Sequence, residues 1–152
     1  MIIFFGLLLS PTTDGNRYEV IGYVDYQLEW LRDDRIYVEV IDDPKVQNVA
    51  CYVSRARLGG TKGVLGFVTQ PSRISVSCRQ VGPIKFLEKI KLSVEGEDVF
   101  TQSESWLFKE LRITRFVDRK RRVLIYLAWT TKLFQGSPYN SMSTVALDEP
   151  SE

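Results

Sequence analysis

The chain has 152 residues, 44% of them hydrophobic and 26% charged, which suits one domain with an ordinary core. Twenty basic residues against nineteen acidic leave a formal net charge of +1, far from the basic excess of a nucleic-acid binder. The absence of histidine excludes Ser-His-Asp and Cys-His nucleophile pairs, His-ligated zinc and an imidazole base. The two cysteines lack Cys-x-x-Cys spacing, so no metal site and no cofactor are expected.

Residues 1–9 (Met-Ile-Ile-Phe-Phe-Gly-Leu-Leu-Leu) form an apolar run too short to cross a hydrocarbon core, which takes about 20 residues. The run reads as the hydrophobic part of a secretory signal peptide, followed by polar breakers at residues 10–15. A basic start and a small-x-small cleavage site are missing, and the competing reading is an apolar first strand. The expected organisation is a degenerate or truncated signal-like segment at 1–15, a single domain at 16–147 and a flexible tail at 148–152. No internal repeat or linker divides the chain.

Residues 18–24 mix apolar and polar side chains. Residues 35–41 alternate, with Ile36, Val38 and Val40 on one face, and predict a strand that stops at Asp42-Asp43-Pro44, a turn signal. Residues 49–55 place Val49, Cys51 and Val53 together. Residues 73–79 do the same for Ile74, Val76 and Cys78, opposite Ser75, Ser77 and Arg79. Both cysteines thus share the apolar side of their strands, which predicts a buried disulfide between Cys51 and Cys78.

Between those strands, residues 58–70 carry Gly59, Gly60, Gly63 and Gly66, a loop composition. After Pro83, the spacing of Ile84, Leu87, Ile90 and Val94 predicts one short helix ending near Gly96. Residues 99–108 read as a strand. Residues 111–118 and 123–130, around the basic tip Arg119-Lys120-Arg121-Arg122, read as a β-hairpin. Residues 123–129 are apolar throughout, which predicts a central strand covered on both faces. The fold class expected is mainly β (β-rich α+β): one domain of antiparallel sheet, sandwich- or barrel-like, with one short helix and one disulfide.

Candidate ligand-binding residues gather around the glycine-rich segment: Arg55, Gly59, Gly60, Lys62 and Gly63, with Asp42 and Asp43 as a carboxylate pair. Glycine amides and a lysine can cradle an anion, but Gly-Gly-Thr-Lys-Gly lacks nucleotide-loop spacing. Adjacent strand residues point apart, so turn formation before Pro44 is the simpler role for the two aspartates. The basic tip reads as a solvated turn, with electrostatic contact to anionic lipid or an acidic partner as the alternative.

Three blocks resemble the CreA family of bacterial envelope proteins. They are residues 38–56 (Val-Glu-Val-Ile-Asp-Asp-Pro-Lys-Val-Gln-Asn-Val-Ala-Cys-Tyr-Val-Ser-Arg-Ala) running into Gly59-Gly60-Thr61-Lys62-Gly63, residues 74–84 (Ile-Ser-Val-Ser-Cys-Arg-Gln-Val-Gly-Pro-Ile), and a set from Leu107 through Arg115-Phe116, Asp118 and Tyr126-Leu127-Ala128 to Gly136-Ser137-Pro138. The resemblance spans roughly residues 20–147. It implies a periplasmic protein made with a cleavable signal peptide, in a family without assigned activity or catalytic residues.

The function expected is therefore a non-catalytic binding or interaction protein of the periplasm, linked to the envelope or its stress response. Its partner would be an envelope protein or a small ligand, with no nucleic acid and no transmembrane span. The alternative is a histidine-free enzyme using carboxylate or lysine chemistry around the glycine-rich loop. Redox work by the cysteines is a third reading, and it requires an exposed thiolate.

Overall fold

Period-two side chains build eight antiparallel strands among the described residues of the computed structural model, which are 18–29, 32–57, 73–105, 109–134 and 136–147. They are β1 (Tyr18–Glu29), β2 (Arg32–Asp42), β3 (Val46–Arg57), β4 (Ile74–Phe86), β5 (Glu97–Ser105), β6 (Lys109–Asp118), β7 (Val123–Phe134) and β8 (Ser137–Ala146). Two four-stranded meanders result, ordered β1-β2-β3-β4 and β5-β6-β7-β8. One hydrophobic core joins them, drawing Ile41, Val49, Val53 and Val76 from the first sheet and Phe100, Ile113, Leu124 and Val145 from the second. At the open edges, the Tyr18 ring of β1 stands edge-on to the Phe100 ring of β5, 6.1 Å between centroids.

The sheets also meet along β4 and β8, and there the junction is made by side chains. Val76 N donates to Ser141 Oγ at 3.1 Å, and Cys78 N donates to Ser143 Oγ at 2.8 Å. The amide of Cys78 therefore points away from β3. Cys51 and Cys78 face each other as a non-hydrogen-bonded antiparallel pair, the closer of the two pair types, with Cα atoms 4.0 Å apart. Their disulfide is formed, and both residues are buried.

The hairpin expected at residues 111–130 is present as β6 and β7, with the basic tip in its turn. The all-apolar run is internal to its sheet, as expected. Only Leu124, Tyr126 and Ala128 are buried, however, whereas Val123, Ile125, Leu127 and Trp129 are half-buried, since the strand packs on the core from one side. The apolar face of residues 36–40 is turned the other way. Ile36 and Val38 are exposed on the outer face of the first sheet, and Glu39 and Ile41 point into the core.

The helix expected after Pro83 is not there. β4 continues through Phe86, held by pairing of Lys85 and Phe86 with Gln47 and Val46, and residues 87–96 follow as bends and a turn. A helix at this place would have needed a buried face, yet Phe86, Leu87, Leu92 and Val94 are all exposed. Pairing also accommodates a wide irregularity here, because Gln80 and Lys85 of β4 oppose Val49 and Gln47 of β3. Asn48 fills the gap in a left-handed conformation (φ 65°), and its Nδ2 donates to the Pro83 carbonyl at 2.6 Å.

Edge strand β1 is itself interrupted. Ile21 and Tyr26 are extra residues relative to β2, so the ladder shifts register twice.

Candidate functional site

Asp43 opens the turn between β2 and β3 and does what its position before Pro44 suggested. Its Oδ1 accepts from the backbone N–H groups of Lys45 (2.9 Å) and Val46 (3.1 Å), fixing the turn. The same carboxylate is buried against the second sheet. Arg115 of β6 donates through Nη1 to Oδ1 at 2.6 Å and to Oδ2, and Tyr126 of β7 donates its hydroxyl to Oδ2 at 2.8 Å. Arg115 also donates through Nη2 to Glu97, whose other oxygen accepts from Lys45 Nζ at 2.5 Å. The Arg115 and Asp43 side chains are both 0% exposed.

A second buried cluster lies farther along the strands. Arg55 of β3 donates through Nε to Glu39 of β2 at 2.8 Å, and through Nη2 to the side-chain oxygen of Gln102 on β5. The arrangement is reciprocal: one sheet sends Arg55 across to the other, which sends Arg115 back. Their partners on β5, Glu97 and Gln102, are five residues apart, so roughly 15 Å separates the clusters.

Of the predicted site residues, Asp42 is exposed, Asp43 belongs to the first cluster and Arg55 to the second. These three do not converge. Gly59, Gly60, Lys62 and Gly63 lie outside the described residues. Sequence reasoning missed Glu39, Glu97, Gln102, Arg115 and Tyr126. The available signal was a charge inside an otherwise apolar strand pattern, at Glu39 and again at Arg115.

In the first cluster both oxygens of Asp43 accept from donors of the protein itself, namely two backbone amides, Arg115 and the Tyr126 hydroxyl. The Arg115 Nε–H is buried without a hydrogen-bond partner among the described residues. Burial pushes the Tyr126 hydroxyl far above its usual range, and the adjacent Asp43 charge adds to this, so it stays a donor. Glu97 is held below the ordinary carboxylate range, chiefly by the hydrogen bond from Lys45, with the Lys91 N–H and the Arg115 charge adding to it.

These shifts set two edges to stability. Glu97 is stabilising above its unfolded value of 4.5, and that contribution is lost as pH falls through its depressed folded value. Tyr126 is stabilising below its unfolded value of 10.0 and is lost as pH rises beyond it. Urea unfolding across pH should therefore show an acid decline that Glu97→Gln softens and an alkaline decline that Tyr126→Phe softens. Parallel curves for variant and parent would contradict this.

A family model described as CreA protein matches residues 21–149. The chain belongs to the CreA family. Protein CreA of Escherichia coli (strain K12) is 47% identical over 141 residues, covering 91% of this chain and 88% of that relative. Two further Escherichia coli CreA proteins match with the same figures. No solved structure matches. The polar clusters lie inside the stretch that the family model covers. Among the described residues, no helix is long and apolar enough to cross a membrane.

Proposed function

We propose that this CreA-family protein is exported to the periplasm and works at the envelope by binding, without catalysis. One observation carries the reading: the side chains with the most chemistry are buried and engaged inside the protein, Asp43 with Arg115 across the two sheets, and Arg55 with Glu39 of its own sheet and Gln102 of the other. They join the sheets and leave the exposed connections to meet a partner. The apolar residues 1–9 and a disulfide suited to an oxidising compartment support export. In this reading the two sheets, joined along β4 and β8, form a sandwich-like body whose ends present the loops.

The test is chemical crosslinking in intact envelopes, followed by recovery of the tagged protein. A reproducible protein or lipid partner is expected. Fractionation of the protein with the cytoplasm, or recovery of no partner under any condition, would overturn the proposal.

A further inference from the structure

β5 begins where β6 ends, since Glu97 pairs with Arg115. The connection before β5 (residues 87–96) and the turn after β6 (residues 119–122) therefore leave the second sheet at the same end. The β2–β3 turn joins them there, because Leu87 N donates to the Lys45 carbonyl and Lys45 Nζ to Glu97. The connection is anchored hard at its far end. Gly96 has φ 70°, and a Cβ there would lie 2.8 Å from the Arg115 carbonyl and from the Phe116 and Thr114 side chains.

Between its anchors this connection presents aliphatic side chains to solvent. Leu87 and Leu92 are each 53% exposed and Val94 is 96% exposed. Lysines 89 and 91 are interleaved with them, and the four basic residues of the turn, all exposed, sit at the same end. Over residues 85–97 and 118–122 there are seven basic side chains (at 85, 89, 91 and 119–122) against four acidic (at 88, 95, 97 and 118). These two connections thus hold a positive excess of three in a chain whose total is +1. The β2–β3 turn beside them adds Asp42 and Asp43 against Lys45, and the sequence runs on to Asp148 and Glu149 from Leu147, whose N–H donates to the Arg122 carbonyl.

We infer that this end of the molecule docks on an anionic lipid surface, with Leu87, Leu92 and Val94 entering the headgroup boundary and the lysines and arginines facing lipid phosphates. The inference rests on the reading above that the protein acts by binding at the envelope. Charge complementarity selects the occupant, because basic side chains beside protruding aliphatic tips match an interface that is negative outside and apolar just beneath. A protein interface of ordinary strength would call for about 800 Å² per partner centred on packed aromatic or arginine anchors. Three aliphatic tips on a ten-residue connection fit shallow insertion better than that.

The test is sedimentation of the purified full chain, with the acidic residues Asp148, Glu149 and Glu152 present, on vesicles. One set contains about one third phosphatidylglycerol, and the other is pure phosphatidylcholine. Binding to the anionic set should exceed the neutral set at least about tenfold, and fall about tenfold as salt rises from 0.1 to 0.5 M. The double variant Leu92→Ser/Val94→Ser and the charge variant Arg119→Glu/Lys120→Glu should each weaken binding about tenfold. Their melting temperatures should hold, since all four positions are exposed.

Equal binding to the two vesicle types, no binding, or variants that bind like the parent would overturn the inference. If vesicles fail while crosslinks from Lys89 or Lys91 capture an acidic protein, the surface is a protein interface and the lipid assignment is wrong, though the binding function stands. If crosslinking also recovers nothing, both fall.

Discussion

Replacing Arg115 by alanine should destabilise the fold by about 3–5 kcal/mol, the usual cost of removing one partner from a buried ion pair. At roughly 2–4 °C per kcal/mol for a chain of this size, the melting temperature should drop by about 10 °C or more. The reason is specific to Asp43. Its carboxylate is fully buried, and without the guanidinium its charge is met only by two backbone amides and the Tyr126 hydroxyl. Glu97 suffers less, because it keeps Lys45 and part of its exposure. The double variant Arg115→Met/Asp43→Asn removes both charges and should recover more than half of the loss. Urea unfolding of the two variants against the parent decides the matter. A loss below about 1 kcal/mol for Arg115→Ala would mean that this ion pair adds little to what holds the sheets together.

Opening the disulfide should cost about 3.5 kcal/mol. Cys51 and Cys78 are 27 residues apart, and the chain-entropy relation gives this value for a loop of that size. The expected fall in melting temperature is again about 10 °C. Cys51→Ala/Cys78→Ala is the cleaner comparison, because a reductant must first reach sulfurs that the core covers. A scanning-calorimetry difference of less than about 3 °C would show that pairing of β3 with β4 already confines the loop without the covalent link. Burial of both sulfurs also weighs against a redox role, which needs an accessible thiolate.

The strands were legible wherever alternation was clean. Residues 49–55 and 73–79 showed the faces of β3 and β4, and with them the disulfide. The tip at residues 119–122 marked the β6–β7 turn. Alternation alone does not say which face is inside, and β2 illustrates this. Ile36, Val38 and Val40 look like a core face, but Ile41 is paired with Cys51, and that register turns Glu39 inward. The false helix after Pro83 had a related cause. Four apolar residues stood at helical spacing, but that spacing marks a helix only when one face is covered, and here β4 pairing takes the first of them into a strand. The clusters were illegible for a different reason. Asp43 and Arg115 are 72 residues apart, and only the packing of one sheet on the other brings them together.

The two register shifts in β1 bear on how the molecule behaves when concentrated. Its exposed Val20, Ile21, Tyr23 and Val24 would otherwise make an edge on which further chains could add strand by strand into a fibre. An incoming strand aligned with Gly22–Asp25 loses its alternation at Ile21 and again at Tyr26. Regular pairing along this edge is therefore confined to about four residues between the shifts. Two extra residues thus interrupt an apolar edge that also carries the charges of Glu19 and Asp25.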